Sequence, residues 1–359
     1  AQTQEPDRVA VLGRSNLDLL TRDLADRLRE LVSDRRIETF ALPFGQLDQQ
    51  VLDPGSDLHG FAPDFVLFAD RIEDLMGGRP LDLCDPGDVH ARVEEHAVLI
   101  RNYRQQRAGW IAICRFASLA ASATPDQANA GLVARANAVL EDALADQDQI
   151  AWIDTATEAA LCEGSAVDMR LWHIGRIPYT TAFAQRLARK AAGVYLAANG
   201  RTVRLVVLDL DNTLWGGVLG EDGIEGIAIG GDYPGNAFSQ FQKALAQLSE
   251  RGIALAVASK NDEDLALKAL TEHPEVMIRP ELLVDHAIGW TPKAEGIARM
   301  ANALNLGLAS VMFIDDSPVE CEAVRRSLPD VKTVELPKDP AEFARILGEN
   351  PLLAVNEIT

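Results

Sequence analysis

Asp209 and Asp211 stand one residue apart, directly after the apolar run Leu205-Val206-Val207-Leu208. Two carboxylates that close, at the end of a buried strand, raise each other's pKa unless a cation neutralises them. A hard divalent ion does so through oxygen ligands, and Mg²⁺ keeps several waters that leave room for a phosphate. The chemistry this permits is metal-assisted phosphoryl transfer, with Asp209 attacking in line to form an aspartyl phosphate. Asp211 is placed to protonate a leaving group and later to activate water.

Later apolar runs deliver further polar groups. Ser259-Lys260-Asn261 follow a run that ends at Ala258. Lys293 opens a helix after Thr291-Pro292, and Asp315-Asp316 follow Ser310–Ile314. Open α/β sheets bind ligands beyond the carboxyl ends of their strands. One sheet edge therefore gathers four carboxylates, a hydroxyl and two lysines. Asp209, Asp211 and one or both of Asp315 and Asp316 can hold Mg²⁺. Ser259 and Lys293, with Lys260, Asn261 and Thr213 beside them, would meet the phosphoryl oxygens, where charge must be stabilised. A lysine at a helix start opposes the helix dipole, which favours a ligand role for Lys293. Simpler roles stay open for the others: Ser259 could cap the helix near Asp262, Asp316 could cap the helix after Pro318, Lys260 could face solvent, and Thr213 could steady the loop.

The elements that must position these groups alternate throughout the chain. In the first half, strands are expected at Val9–Gly13, Ile37–Leu42, Phe65–Phe68, Trp110–Cys114 and Ile150–Ile153. Helices fit at Leu17–Leu31, Val89–Gln106 and Asp126–Ala145. A helix over Thr181–Leu196 ends at Ala198-Asn199-Gly200, which sets a boundary between domains 1–198 and 199–359. The second half repeats the pattern. Strands are expected at Leu205–Leu210, Ile253–Ala258, Leu282–Val284 and Ser310–Ile314, with helices at Ala237–Arg251, Asp262–Thr271, Pro292–Asn305 and Val319–Ser327. Such alternation implies parallel sheets, hence two three-layer α/β domains. The stretch from Thr213 to Ala237 holds eight glycines and allows a flap, not a separate cap domain, so the site should be open.

Composition narrows the setting. The 359 residues exceed one ordinary core, and 47% hydrophobic with 25% charged residues is a globular composition. A net charge of -20 argues against nucleic acid and anionic membranes as partners. Cys84, Cys114, Cys162 and Cys321 are too dispersed for a zinc site or a disulfide framework. With no apolar run of membrane-spanning length and no secretory profile at Ala1–Gln4, a cytoplasmic location is expected. Between Met169 and Leu208 there is no Asp or Glu, whereas Arg170, Arg176, Arg186, Arg189 and Lys190 all fall there. Either acidic partners come from elsewhere in the fold, or this segment is a basic surface for an anionic partner.

At these motifs the chain resembles the haloacid dehalogenase (HAD) superfamily, whose four motifs match Asp209/Asp211, Ser259, Lys293 and Asp315/Asp316. Residues 209–223, Ser259-Lys260-Asn261-Asp262 and Phe313–Pro318 resemble the FkbH-like branch of subfamily IIIC, over roughly residues 165–340. That resemblance implies a HAD-like Rossmannoid domain preceded by a flavodoxin- or SGNH-hydrolase-like α/β domain. It also implies a substrate, D-1,3-bisphosphoglycerate, which such enzymes dephosphorylate while placing the glyceryl group on the phosphopantetheine thiol of an acyl carrier protein in polyketide-type biosynthesis. The other reading is a Mg²⁺-dependent phosphatase or phosphotransferase acting on another phosphate ester, small or carrier-bound. An open site suits a carrier-bound substrate, and the basic segment is the expected carrier-docking surface.

Two departures matter. Relatives often carry a cysteine within or just before the first motif, but Leu205 and Leu210 stand there, which excludes an enzyme thioester at that motif. Cys321 occupies a position where relatives have arginine, and is either a substitute acyl acceptor or a small buried residue. In the first half, Gly13-Arg14-Ser15-Asn16 lacks the Gly-Asp-Ser of SGNH hydrolases. Asp168 also lies five residues before His173, not the three of that family. Docking or shielding is the expected role of that domain.

Overall fold

The computed structural model describes residues 5–119 and 127–354. They fall into two units, one reaching Ala198 and the other beginning at Asn199. The first contains β1 (Asp7–Leu12), β2 (Ile37–Ala41), β3 (Phe65–Phe68), β4 (Trp110–Cys114) and β5 (Ile150–Ile153). All pair in parallel, in the order β2-β1-β3-β4-β5. Alternate residues serve opposite faces, as the two-residue period of a strand requires. Ala10, Leu12, Val66, Phe68, Ile111 and Ile113 enter one core with the helices Pro86–Gln106 and Gln127–Leu144. Phe65 points the other way and meets Tyr195 edge-on at 5.6 Å, which seats the helix Thr181–Ala198 on that face.

The second unit contains β6 (Leu205–Leu208), β7 (Ala254–Ser259), β8 (Leu283–Ile288), β9 (Val311–Asp315) and β10 (Lys332–Glu335). Its order is β10-β9-β6-β7-β8, again all parallel. The continuous apolar runs of the central strands follow from burial on both faces. Val206, Leu208, Leu255, Val257, Met312 and Ile314 pack with the helices Gly235–Glu250, Glu263–Glu272 and Phe343–Glu349. Leu205, Val207, Ala256, Ala258, Val311 and Phe313 pack with the helices Lys293–Ala303 and Pro318–Ser327. Both units are therefore three-layer α/β sandwiches.

Three strands of the second sheet differ instructively from the sequence pattern. β6 stops at Leu208, two residues before the expected end, because the chain turns through Leu210–Leu214. β8 runs on to Ile288 through Asp285 and His286, polar residues that interrupt an apolar run; Arg299 pairs with Asp285 at 2.8 Å. β10, Lys-Thr-Val-Glu, carries no apolar run, as suits an edge strand. Between Thr213 and the helix at Gly235 lie one short helix, Leu219–Asp222, and a bridge between Gly216 and Ala228. No large cap is inserted there. Among the described residues no helix is long and apolar enough to cross a membrane.

Candidate active site

β6 and β9 lie side by side, with Leu208 level with Ile314. The next residue of each strand is an aspartate, and the Asp209 N–H donates to the Ile314 carbonyl at 3.0 Å. Lys293, in the first turn of its helix, reaches between them. Its Nζ lies 2.7 Å from Asp209 Oδ1 and 2.6 Å from Asp315 Oδ2. Exposure is 6% for Asp209, 6% for Lys293 and 0% for Asp315, so these charges must satisfy one another. Burial pushes Asp209 up, opposed by the Lys293 ammonium and the Ser259 hydroxyl. Burial and the nearby Asp209 raise Asp315 to about 6, while its Oδ1 accepts from the Ser317 N–H at 2.8 Å. Burial works to lower Lys293, but the two carboxylates outweigh it and hold the ammonium above its usual range.

Asp316 completes the cluster. It is half-buried and raised, first by burial and then by Asp209. One oxygen each from Asp209, Asp315 and Asp316 lies within 4.8 Å of the others. Hard oxygen donors at that spacing fit Mg²⁺. The Thr213 hydroxyl, fully buried on the loop after β6, has no hydrogen-bond partner among the described residues. Such an orphaned buried polar atom, two residues after Asp211, calls for a ligand or a water.

The Asp211 carboxylate, expected among the metal ligands, is not one of these three. Its Oδ1 accepts from Trp215 Nε1 at 2.9 Å and from the Leu219 N–H at 3.1 Å. Its Oδ2 accepts from Asn261 Nδ2 at 2.9 Å. Three donors from three positions fix the carboxylate. The turn that permits this places Asn212 at φ 52°, and its Oδ1 accepts from the Gly217 N–H at 3.0 Å. Asn tolerates that left-handed conformation better than most residues. Behind the loop, fully buried Gln242 donates to the Leu214 carbonyl at 2.8 Å and accepts from the N–H groups of Met277 and Ile278.

The remaining expected residues divide. Ser259 is buried beside Asp209, and Asp262 caps the following helix by accepting from the Leu265 N–H, so Ser259 is not needed as a cap. Ser317, not Asp316, caps the helix after it by accepting from the Glu320 N–H. Lys260 is exposed and donates to Glu320 Oε1 at 2.7 Å, while Asn261 donates to Asp211. Cys321 is fully buried, its Sγ facing the Asp315 and Val334 carbonyls at 3.7 and 3.9 Å. Burial raises its thiol to about 12, so it stays protonated and is a poor acyl acceptor. Trp215, Gln242, Ser317 and Glu320 had no signal in their own spacing. Only their distance from a motif residue, four along from Asp211 for Trp215, could have suggested a role.

In the first unit the expected basic surface is partly neutralised. Glu158 takes Arg186 at 2.8 Å and lies 3.9 Å from Lys190. Arg176 stacks on Trp172 at 5.0 Å, Arg170 is exposed and Arg189 half-buried. Ser15 Oγ donates to Asp74 Oδ2 at 3.1 Å, Asp168 caps a helix, and His173 is exposed. No Ser-His-Asp relay joins these three.

This fold and cluster define a HAD-like α/β unit following a second α/β unit. Among solved structures, the chain is similar to the N-terminal part of the protein BF1531 from Bacteroides fragilis, which contains a phosphatase domain and is complexed with Mg. The identity is 25% over 98% of this chain and 93% of that one, at a TM-score of 0.83. A HAD-family enzyme from Bacteroides thetaiotaomicron, BT-2542, in its magnesium complex matches 40% of this chain and 98% of its own at 12% identity and a TM-score of 0.30. The 3-deoxy-D-manno-octulosonate 8-phosphate phosphatase of Moraxella catarrhalis matches 44% and 92% at 17% identity and a TM-score of 0.27. At such scores neither of these two bears on the chemistry. No protein-family model and no curated protein matches this sequence.

Proposed function

We propose that the chain is a Mg²⁺-dependent phosphoryl-handling enzyme whose nucleophile is Asp209. The observation that carries this reading is the Asp209–Lys293–Asp315 bridge, with Asp316 within 4.8 Å and all but Asp316 buried. Asp209, Asp315 and Asp316 would hold the ion, which when bound neutralises them and polarises a phosphoryl oxygen. Asp209 attacks phosphorus in line, the bond to the leaving oxygen breaks, and an aspartyl phosphate forms. Asp211, held by Trp215, Leu219 and Asn261, gives the leaving oxygen its proton and then takes one from the water that releases phosphate. Lys293 and the Ser259 hydroxyl meet the phosphoryl oxygens, and Thr213 supplies a further hydroxyl from the loop. The BF1531 phosphatase domain, complexed with Mg and similar over 98% of this chain, supports that chemistry.

Within that class we propose D-1,3-bisphosphoglycerate as substrate and the phosphopantetheine thiol of an acyl carrier protein as glyceryl acceptor. Support comes from the motif resemblance over residues 165–340 and from the lack of a large cap. With Cys321 buried and protonated, the acyl group passes directly. The carrier thiolate attacks the acyl carbon, the bond to the acyl-phosphate oxygen breaks, and that phosphate leaves; the phosphate on C3 is taken by Asp209 and released to water, which leaves the glyceryl thioester. The test combines the protein, Mg²⁺, the bisphosphoglycerate and a phosphopantetheinylated carrier, read by intact mass of the carrier and by released phosphate. A glyceryl adduct supports transfer. Phosphate without an adduct on any carrier favours a plain phosphatase, and neither product overturns both readings.

A further inference from the structure

The first sheet reverses its strand order between β1 and β3, and open α/β sheets bind ligands at that crevice. Arg14 sits there, on the loop after β1. Its N–H donates to Asp70 Oδ1 at 2.6 Å, and its guanidinium is held from behind by two buried groups. Nη1 lies 3.1 Å from Asp70 Oδ2 and 3.0 Å from His96 Nδ1, whose side chains are 1% and 2% exposed. Burial, with Arg14 adding to it, takes His96 down to about 3, so the imidazole is neutral and its Nδ1 accepts. On the open side Nη2 meets Asp48 at 2.9 Å, and that carboxylate is 62% exposed.

Arg14 and Asp48 form one wall of a cleft of about 380 Å³, which Asp74, Gly78, Trp172 and Arg176 also line. Asp74 is committed to Arg71 at 2.7 Å and to Ser15. Arg71 and Arg176 both stack on Trp172, at 4.4 and 5.0 Å. Gly78, at φ 83°, leaves the space the indole needs, since a Cβ there would lie 2.4 Å from the ring. Arg176 is exposed and makes no ion pair among the described residues. The cleft thus presents one guanidinium with no carboxylate and another whose only solvent-facing partner is a weak, exposed ion pair. Such pairs contribute little, and a bidentate oxyanion can replace them.

We propose that this cleft binds a small molecule carrying a carboxylate or phosphate, gripped by Arg176 and by Arg14 after its exchange of Asp48. The cleft is lined by residues of the first unit alone. Hydrogen exchange of the full chain in EDTA, titrated with inorganic phosphate or with malonate, tests it. At least one probe should slow exchange saturably in peptides spanning Gly13–Asp18 and Trp172–Ile177. Arg176→Gln should raise the half-saturating concentration at least about tenfold, and Asp48→Asn should lower it about threefold by removing the competitor. Arg14→Gln would strand buried Asp70, so these two surface variants carry the test. Protection confined to the second unit, no protection by either probe, or an unchanged midpoint in Arg176→Gln would each overturn the proposal. Response to phosphate alone or malonate alone identifies which oxyanion the site takes.

Discussion

Replacing Lys293 by methionine keeps the length of the side chain and removes its charge. Asp209 and Asp315 would then face each other, almost without solvent, across the space the ammonium fills at 2.7 and 2.6 Å. Stripping one partner from a buried ion pair costs about 3–5 kcal/mol, because the charge left behind is uncompensated. The expected loss for the second unit is at the lower end, since one carboxyl can take a proton. Hydrogen exchange of β6 and β9 peptides reads that unit by itself, and 3–5 kcal/mol corresponds to roughly 10²- to 10⁴-fold faster exchange. The pH dependence gives the sign. Asp315 is raised from 3.8 to about 6, so its contribution is fully present below 3.8 and lost as pH rises through 6. Without Lys293 that window should extend to higher pH, so acidifying from about pH 8 to about pH 5.5 should recover part of the loss.

Mg²⁺ provides the second half of the test. An ion bound at about 100 times its Kd stabilises the folded state by about 2.7 kcal/mol, and more where it relieves stronger repulsion. Adding Mg²⁺ should therefore slow β6 and β9 exchange more in Lys293→Met than in the parent. A metal-free loss under about 1 kcal/mol, or an equal response to Mg²⁺ in both proteins, would refute the idea that the ammonium balances a metal-binding carboxylate pair.

Other outcomes follow from the same contacts. Asp209→Asn should cut phosphate release by at least about 10³-fold with an unchanged circular dichroism spectrum, and near-normal turnover would remove the nucleophile assignment. Trp215→Phe takes one donor of three from Asp211 and should lower kcat about tenfold or more with little change in KM. Cys321→Ala should leave turnover within about twofold, and a complete loss would restore a covalent acyl-enzyme. In the first unit, His96 is lowered from 6.5 to about 3, so its contribution is present above 6.5 and lost as pH falls toward 3. Asp70 is raised from 3.8 to about 7, so its contribution is present below 3.8 and lost as pH rises through 7. The two slopes oppose each other between about pH 4 and pH 6.5. His96→Gln should expose the Asp70 slope, up to about 1.4 kcal/mol lost per pH unit on raising the pH, and a flat urea-denaturation profile in the variant would contradict it.

The alternation of strand and helix was legible because burial on both faces of a parallel sheet demands unbroken apolar runs, as at Leu205–Leu208 and Val311–Ile314. β10 was not, since an edge strand needs no such run and Lys332-Thr333-Val334-Glu335 looks like a loop. The polar groups at the strand ends were legible for a related reason: in a run of buried residues, Asp209, Ser259 and Asp315 are expensive unless something uses them. Their partners were another matter. Lys293, set apart in sequence by its place at a helix start, spans two buried carboxylates, whereas exposed Lys260 spends its charge on half-buried Glu320.

Asp211 shows what spacing alone does not give. Two aspartates one residue apart would point to the same side of a continuing strand, and the natural inference is a shared ion. The strand does not continue. β6 ends at Leu208, Asn212 adopts φ 52°, and the turn carries Asp211 toward Trp215, Leu219 and Asn261. That separation lets two carboxylates of identical chemistry take different work. Asp209, facing Lys293 and the metal cluster, can remain an anion fit to attack phosphorus. In the proposed mechanism Asp211, oriented by neutral donors instead of by cations, would carry the proton between leaving group and water.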